Sequence, residues 1–233
     1  MYHYDPVYLL YVFLPVMALT LVVQLILKGT YAKYSRIQSQ RGLTGAEAAR
    51  RILDLGGVRG VEVHEVSGFL TDHYDPRHRV LRLSPQNFAG RSIAALGVAA
   101  HEVGHALQHA QAYKPMVIRN LAVPAANIGS SLGYIALFIG MLMQFRALAL
   151  VGFVLLCGIL VFQLINLPVE FDASRRALQL LPQSGILTAQ ENRGAQKVLG
   201  AAALTYVAAM IAILWELLYY AMRLGLLGGR RSN

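Results

Sequence analysis

Residues 147–169 read ALALVGFVLLCGILVFQLINLPV, and residue 170 is a glutamate. These 23 consecutive positions contain no Asp, Glu, Lys or Arg. A helix needs about 20 such residues to cross the hydrocarbon core of a bilayer. An acid directly after the run marks either the boundary with water or a site. Three more windows share the property: 7–27, 121–145 and 198–215, with 21, 25 and 18 residues. The last is slightly short, but Leu217–Met222 extends it past Glu216. Together the four windows hold 87 of 233 residues, so the 33 charged side chains make up 23% of the other 146. That is an ordinary soluble value, near the usual quarter. Disorder, a coiled coil and a simple soluble enzyme are excluded. The expected architecture is a mainly α integral membrane protein with four transmembrane helices and a small α+β cytoplasmic part containing a short hairpin or sheet.

Working outward, the chain divides into an anchor (1–27), a polar segment (28–120), a two-span hairpin (121–169), a second polar segment (170–197), and a fourth span with a basic tail (198–233). The first window is too long for a signal sequence. No Lys or Arg precedes it and no small-residue cleavage site follows, so it reads as an uncleaved anchor. Positive charge sets the orientation. Thirteen Lys and Arg fall in 28–120 and four in 170–197, against Arg146 and the tail residues Arg223, Arg230 and Arg231 on the other side. Both polar segments therefore face the cytoplasm, and the basic tail breaks the rule. The net charge of +9 suits anionic lipid headgroups. No nucleic-acid-binding signature accompanies it. Cys157 is the only cysteine, so no internal disulfide can form.

The first polar segment carries local signals. Thr44-Gly-Ala-Glu47 is a capping box opening a helix through Leu55, stopped by Gly56-Gly57. Val58–Val66 alternates as a strand. Gly68–Tyr74 and Val80–Leu83 flank Asp75-Pro76-Arg77-His78 and predict a hairpin. Ser92 caps a helix running to about Ala112, with Lys114-Pro115 ending it.

That helix contains His101-Glu102-Val103-Gly104-His105. Residues four apart lie about 40° apart around a helix and roughly 6 Å along it, so both imidazoles face one way. They can occupy two corners of a tetrahedral Zn²⁺ site. Glu102 is then placed to act as general base on a water and return its proton to the leaving amine. The plainer alternative is a pair of polar surface histidines; the small apolar face Ile93–Ala100 favours a buried active-site helix instead. Gln108 and Gln111 stand where the extended metzincin motif needs glycine and histidine, which excludes that class. His109 is two turns from His101, too far to close the same site, and is expected on the helix face or behind the ligands. The third ligand is expected to be Glu170, with Pro168 in the first turn of its helix. Asp172 is expected merely to favour that helix's N-terminus.

Several blocks are more specific than the five-residue motif. Gly68–Pro76, Arg91–Ala95, Ala100–Gln108, Val123–Gly129, Leu167–Ala177 and Ala202–Ala208 together make the chain resemble the YugP family of membrane-bound neutral zinc metallopeptidases over nearly its whole length. The resemblance implies a zincin-like cytoplasmic catalytic part and one zinc ion, with His101 and His105 as paired ligands and Glu102 as acid/base. A more distant similarity to the CAAX-protease and heat-shock type membrane gluzincins supports Glu170, through Glu170-Phe171-Asp172-Ala173. Ser174 stands where that pattern has an aspartate that steadies the first histidine.

Peptide or membrane-protein substrates are expected to lie along the Gly68–Leu83 hairpin. Tyr74, Arg176 and Tyr206 are chemically able to stabilise an oxyanion and are not ranked. Asp72, His73 and Tyr74 could equally just hold the turn. Tyr8, Tyr11, Tyr219 and Tyr220 read as interfacial anchors, and Glu216 as a snorkelling or paired acid. The leading reading is a zinc endopeptidase at the cytoplasmic face of the bacterial membrane. The alternatives are a zinc-stabilised scaffold without activity and a site-2-type intramembrane protease.

Overall fold

Each apolar window forms a long helix, and all but the second, which stops at Leu142 short of its window's end, extend beyond both ends. A computed structural model describes residues 6–227; the tail residues Arg230 and Arg231, and the segment before Pro6, lie outside the described residues. Helix α1 runs Pro6–Ser35. Helix α2 (Gly45–Leu55) opens on the expected capping box: the Thr44 side chain accepts from the Glu47 amide, and the Glu47 carboxylate accepts from the Thr44 amide. Three short strands follow: β1 (Glu62–Glu65), β2 (His73–Asp75) and β3 (Val80–Leu83). After the single turn α3 (Pro85–Phe88) come α4 (Ile93–Ala110), α5 (Lys114–Leu142), α6 (Arg146–Gln183) and α7 (Ala189–Arg223). Among the described residues, four helices (α1, α5, α6 and α7) are long and apolar enough to cross a membrane.

The strand order is β1-β3-β2, with β3 central. It pairs antiparallel with β2, Tyr74 opposite Leu81, and parallel with β1, Val63 opposite Leu81. Two expected strands are shorter than their alternation suggests. Gly57 and Gly60 take positive φ, so the chain turns until Glu62 before it can enter the sheet. Gly68 and Leu70 do the same, which reduces Gly68–Tyr74 to a bend and the start of β2.

Two helix boundaries also differ. Ala112 at φ 48° closes α4, and Lys114-Pro115 then starts α5 rather than only ending its predecessor. Pro115 sits in a first turn, where its missing N–H has no intrahelical partner to lose. Pro168 does not open a helix. It lies inside the unbroken α6, which tolerates the loss of one backbone donor. Glu170 and Asp172 are therefore mid-helix residues, and Asp172 has no helix N-terminus to favour.

The chain forms two compact units. One comprises the described residues up to Val23, Ile118–Leu167, and the described residues from Thr205 onward. Its core includes Leu137, Ala149, Leu156, Ile213 and Leu217. A Cβ on Gly152 would collide with the Leu137 backbone, and one on Gly140 with the Ala149 backbone, so these glycines let α5 and α6 touch. The Glu216 carboxylate accepts hydrogen bonds from Tyr8 Oη at 3.2 Å and Tyr134 Oη at 2.8 Å. Tyr8 also packs against Tyr219 and Tyr220, and Tyr219 is buried. Those three tyrosines form one cluster beside this acid, and Tyr11 is exposed.

The other unit comprises Gln24–Val117 and Pro168–Leu204. Its core joins Ala49 and Ile52 of α2, Leu81 and Leu83 of β3, Leu96, Ala99, Ala100 and Val103 of α4, Val169 and Leu181 of α6, and Ala195 and Val198 of α7. Asp72 accepts from the Ser84 amide, the Ser84 hydroxyl and the Asn87 side chain, and so ties the β2 approach to α3.

Candidate metal centre

Helix α4 begins where the Ser92 hydroxyl accepts the Ala95 amide at 3.2 Å. Its small residues Ala94, Ala95, Ala99 and Ala100 are buried, which carries the rest of the helix into the core. Four-residue spacing then brings the His101 and His105 rings to 4.8 Å between centroids, nearly perpendicular. Glu170 reaches them from α6. Its Oε2 lies 3.4 Å from His101 Nε2 and 3.6 Å from His105 Nε2. The three ligand atoms all fall within 4.8 Å of one another.

Gly104 makes this approach possible. A Cβ there would stand 2.6 Å from the Ala173 carbonyl oxygen, so α4 and α6 meet backbone to backbone. Ala173 is three residues from Glu170, and the close crossing delivers that carboxylate to the histidines. Glu170 is 3% exposed, and His105 and Glu102 are 8% exposed.

The donor set fits zinc. Corners of a tetrahedron with ligand bonds of about 2.0–2.1 Å are roughly 3.3–3.4 Å apart. The two imidazole-to-carboxylate separations of 3.4 and 3.6 Å are close to that spacing. Two imidazoles and one carboxylate also leave a fourth position open for water, as catalytic zinc sites require.

Both histidines are held from behind. His101 Nδ1 lies 3.1 Å from the Ser174 hydroxyl, and His105 Nδ1 lies 3.0 Å from Gln108 Oε1. Gln108 is fully buried, and its Nε2 donates to the Val169 carbonyl at 2.8 Å and to Asp172 at 3.0 Å. Reversing the amide would point its oxygen at two acceptors, so the orientation follows from the partners. An acceptor-only oxygen then requires His105 Nδ1 to carry the hydrogen, and Nε2 is left to face Glu170. Asp172 is the hub behind Gln108. It accepts from Arg176 Nε at 2.5 Å and pairs with Arg175. Burial pushes the His105 pKa down, but the hydrogen bond to Glu170 and the charges of Glu102 and Glu170 outweigh it and raise the pKa.

The remaining candidates are not among the three grouped donors. His109 Nδ1 is 2.9 Å from Tyr74 Oη, and neither residue belongs to the three-residue group. The Arg176 guanidinium is engaged by Asp172 and by Gln111 Oε1 at 2.6 Å. Tyr206 lies on α7 within the compact unit that does not contain His101, His105 and Glu170. Two contributors were missed in sequence. Gln108 carried one signal, its place three residues after His105 on the same helix. Gly104 carried another, since glycine inside a helix usually needs a packing reason.

Comparison with known proteins agrees with this chemistry. Residues 9–225 match the family model described as "Putative neutral zinc metallopeptidase". The chain is 46% identical over 227 residues to "Putative membrane protease YugP" of Bacillus subtilis (strain 168), covering 97% of this chain and 100% of that protein. No solved structure matches the chain significantly. A match of this identity over almost the full length of both proteins means that the chain belongs to the neutral zinc metallopeptidase family represented by YugP.

Proposed function

We propose that the protein is an integral-membrane zinc endopeptidase whose active site lies at the cytoplasmic face of the bacterial cell membrane. The observation that carries the reading is the convergence of His101 Nε2, His105 Nε2 and Glu170 Oε2 beside the buried Glu102. His101, His105 and Glu170 would hold one zinc ion. Zinc, when bound, supplies a Lewis acid that polarises the scissile carbonyl and acidifies the attacking water.

The chain's own residues do the rest. The Glu102 carboxylate takes the proton of the attacking water as the new C–O bond forms, then delivers it to the leaving nitrogen as the C–N bond breaks. Gln108 and Ser174 hold the two rings so that each Nε2 faces inward. Strand β2 lies at a sheet edge and offers main-chain pairing to an extended peptide, which gives sequence-tolerant binding. The four apolar helices and the basic residues of 28–120 and 170–197 support insertion with both polar segments inside.

The test is made on detergent-purified protein. Bound zinc is measured, and cleavage of an unfolded protein substrate is followed with and without a chelator. Glu102→Gln is expected to keep its zinc and lose about 10²-fold or more in rate. Wild-type cleavage no faster than that of this variant would overturn the peptidase reading.

A further inference from the structure

A groove of about 420 Å³ separates the end of α1 from the beginning of α7, within the unit that carries the metal centre. Tyr34 packs against Gly194, so Lys33 and Lys197, one and three residues from that contact, lie near one level of the groove, while Ile26 and Leu204 lie eight and ten residues from it. The two walls are arranged alike. Lys33 follows Ile26 by seven residues, and Lys197 precedes Leu204 by seven. Seven helical residues rise about 10 Å. Two cations thus sit at one level of the groove and apolar side chains at another. Ile26 and Leu204 are 43% and 42% exposed, although both are large and apolar. No carboxylate lines the groove, and neither lysine has an ion-pair partner among the described residues. Lys33 lies over the Tyr34 ring, 5.7 Å from its centroid.

We infer that this groove binds an anionic phospholipid, with its phosphate between Lys33 and Lys197 and its acyl chains along Ile26 and Leu204. Charge selects the occupant. A zwitterionic headgroup brings a cation against the two lysines, and free inorganic phosphate leaves the apolar end wet. A phosphodiester bearing acyl chains satisfies both ends. Basic pockets between membrane helices on the cytoplasmic side take such headgroups for the same reason. Gly29 helps form the open space, because a Cβ built there meets nothing within 4 Å. The inference rests on the reading that the chain resides in a membrane.

The experiment uses the full chain in detergent, with lipid adducts counted by native mass spectrometry. Phosphatidylglycerol, phosphatidylcholine and inorganic phosphate are titrated separately. Phosphatidylglycerol is expected to be retained in preference to phosphatidylcholine. Lys33→Gln and Lys197→Gln should each weaken its binding roughly fivefold, and the pair about 25-fold. Lys28→Gln, on the same helix but outside the groove, should change it less than about twofold. Gly29→Leu keeps every charge, fills the groove and improves helix propensity, so it should lose the lipid without losing the fold. Unchanged phosphatidylglycerol binding in the double variant overturns the site, as does equal binding of inorganic phosphate. Incorporation into lipid nanodiscs separates the two readings. A chain that fails to enter nanodiscs of any composition overturns membrane residence. A chain that enters them without preferring phosphatidylglycerol overturns the groove alone.

Discussion

Glu170 and Glu216 are both carboxylates on long apolar helices, and their neighbours give them opposite characters. Glu216 accepts from two phenols, Tyr8 and Tyr134. A phenol brings its own hydrogen, so that acid is satisfied by the protein alone. Glu170 faces two imidazole nitrogens at 3.4 and 3.6 Å. Because Gln108 commits His105 Nδ1 as a donor, neutral His105 presents a lone pair to Glu170 Oε2. A lone pair facing a carboxylate is stable only with a cation between them, either a proton or a metal. The same residue type therefore makes a structural clasp in one place and a cation site in the other. What decides is whether the partners arrive with hydrogens.

The sharpest way to break this contrast is to neutralise each acid. Glu170→Gln should lower zinc affinity by more than about a hundredfold, since even residues behind metal ligands commonly contribute ten- to hundredfold. Glu216→Gln should leave zinc affinity unchanged and cost about 1 kcal/mol of stability as two hydrogen bonds weaken. Competition with a chromogenic chelator measures the first, and thermal unfolding the second. Zinc loss in both variants would break the distinction.

Gln108 predicts the next largest effect. Gln108→Leu leaves the His105 Nδ1 hydrogen, the Val169 carbonyl and one Asp172 oxygen without this partner. Zinc affinity should fall about ten- to hundredfold. Tyr134→Phe, which removes a comparable partner from Glu216, should not alter zinc affinity. Gly104→Ala acts by distance instead. Forcing α4 and α6 apart against the Ala173 carbonyl should destabilise the fold by about 1–3 kcal/mol, with zinc affinity down about tenfold as Glu170 withdraws. Gly152→Ala crowds α5 and α6 in a similar way, so it should lose stability alone.

These variants also show what could be read before the structure. The four long helices follow from charge-free length. The start of α4 follows from Ser92, and the shared face of His101 and His105 from helical spacing. All are properties of one segment. Glu170 is legible because it directly follows a charge-free span, where an acid marks a boundary or a site. Residues whose importance is pairwise escaped notice. Gly104 matters only because the Ala173 backbone reaches it, and Gln108 only because Val169 and Asp172 complete its amide. Pro168 misled for a related reason. Its local preference for a first turn was overridden by packing that carries α6 through it, which turned Asp172 from an expected terminal charge into a buried hub. The glycine turns at 57, 60 and 68 likewise shortened strands whose alternation looked longer.

The smallest predicted effect tests the cation argument most directly. In the metal-free protein the His105 pKa is raised despite burial, because Glu170 and Glu102 favour the imidazolium. A raised folded-state pKa contributes stability that is fully present below the ordinary histidine value, and that stability is lost as pH climbs through the raised value. Metal-free protein should therefore lose stability as pH increases from about 6.5, by at most about 1.4 kcal/mol per pH unit for one proton. Zinc binding requires neutral imidazoles, so the same rise in pH removes a competing proton and strengthens the metal. The gap between the melting temperatures of zinc-loaded and metal-free protein should then widen with pH across this window. Glu216→Gln should leave that widening intact, because its phenol partners take no part in this proton exchange. Parallel pH dependence of the two forms would mean that no proton occupies the place of the metal, and the contrast between the two acids would lose its physical basis.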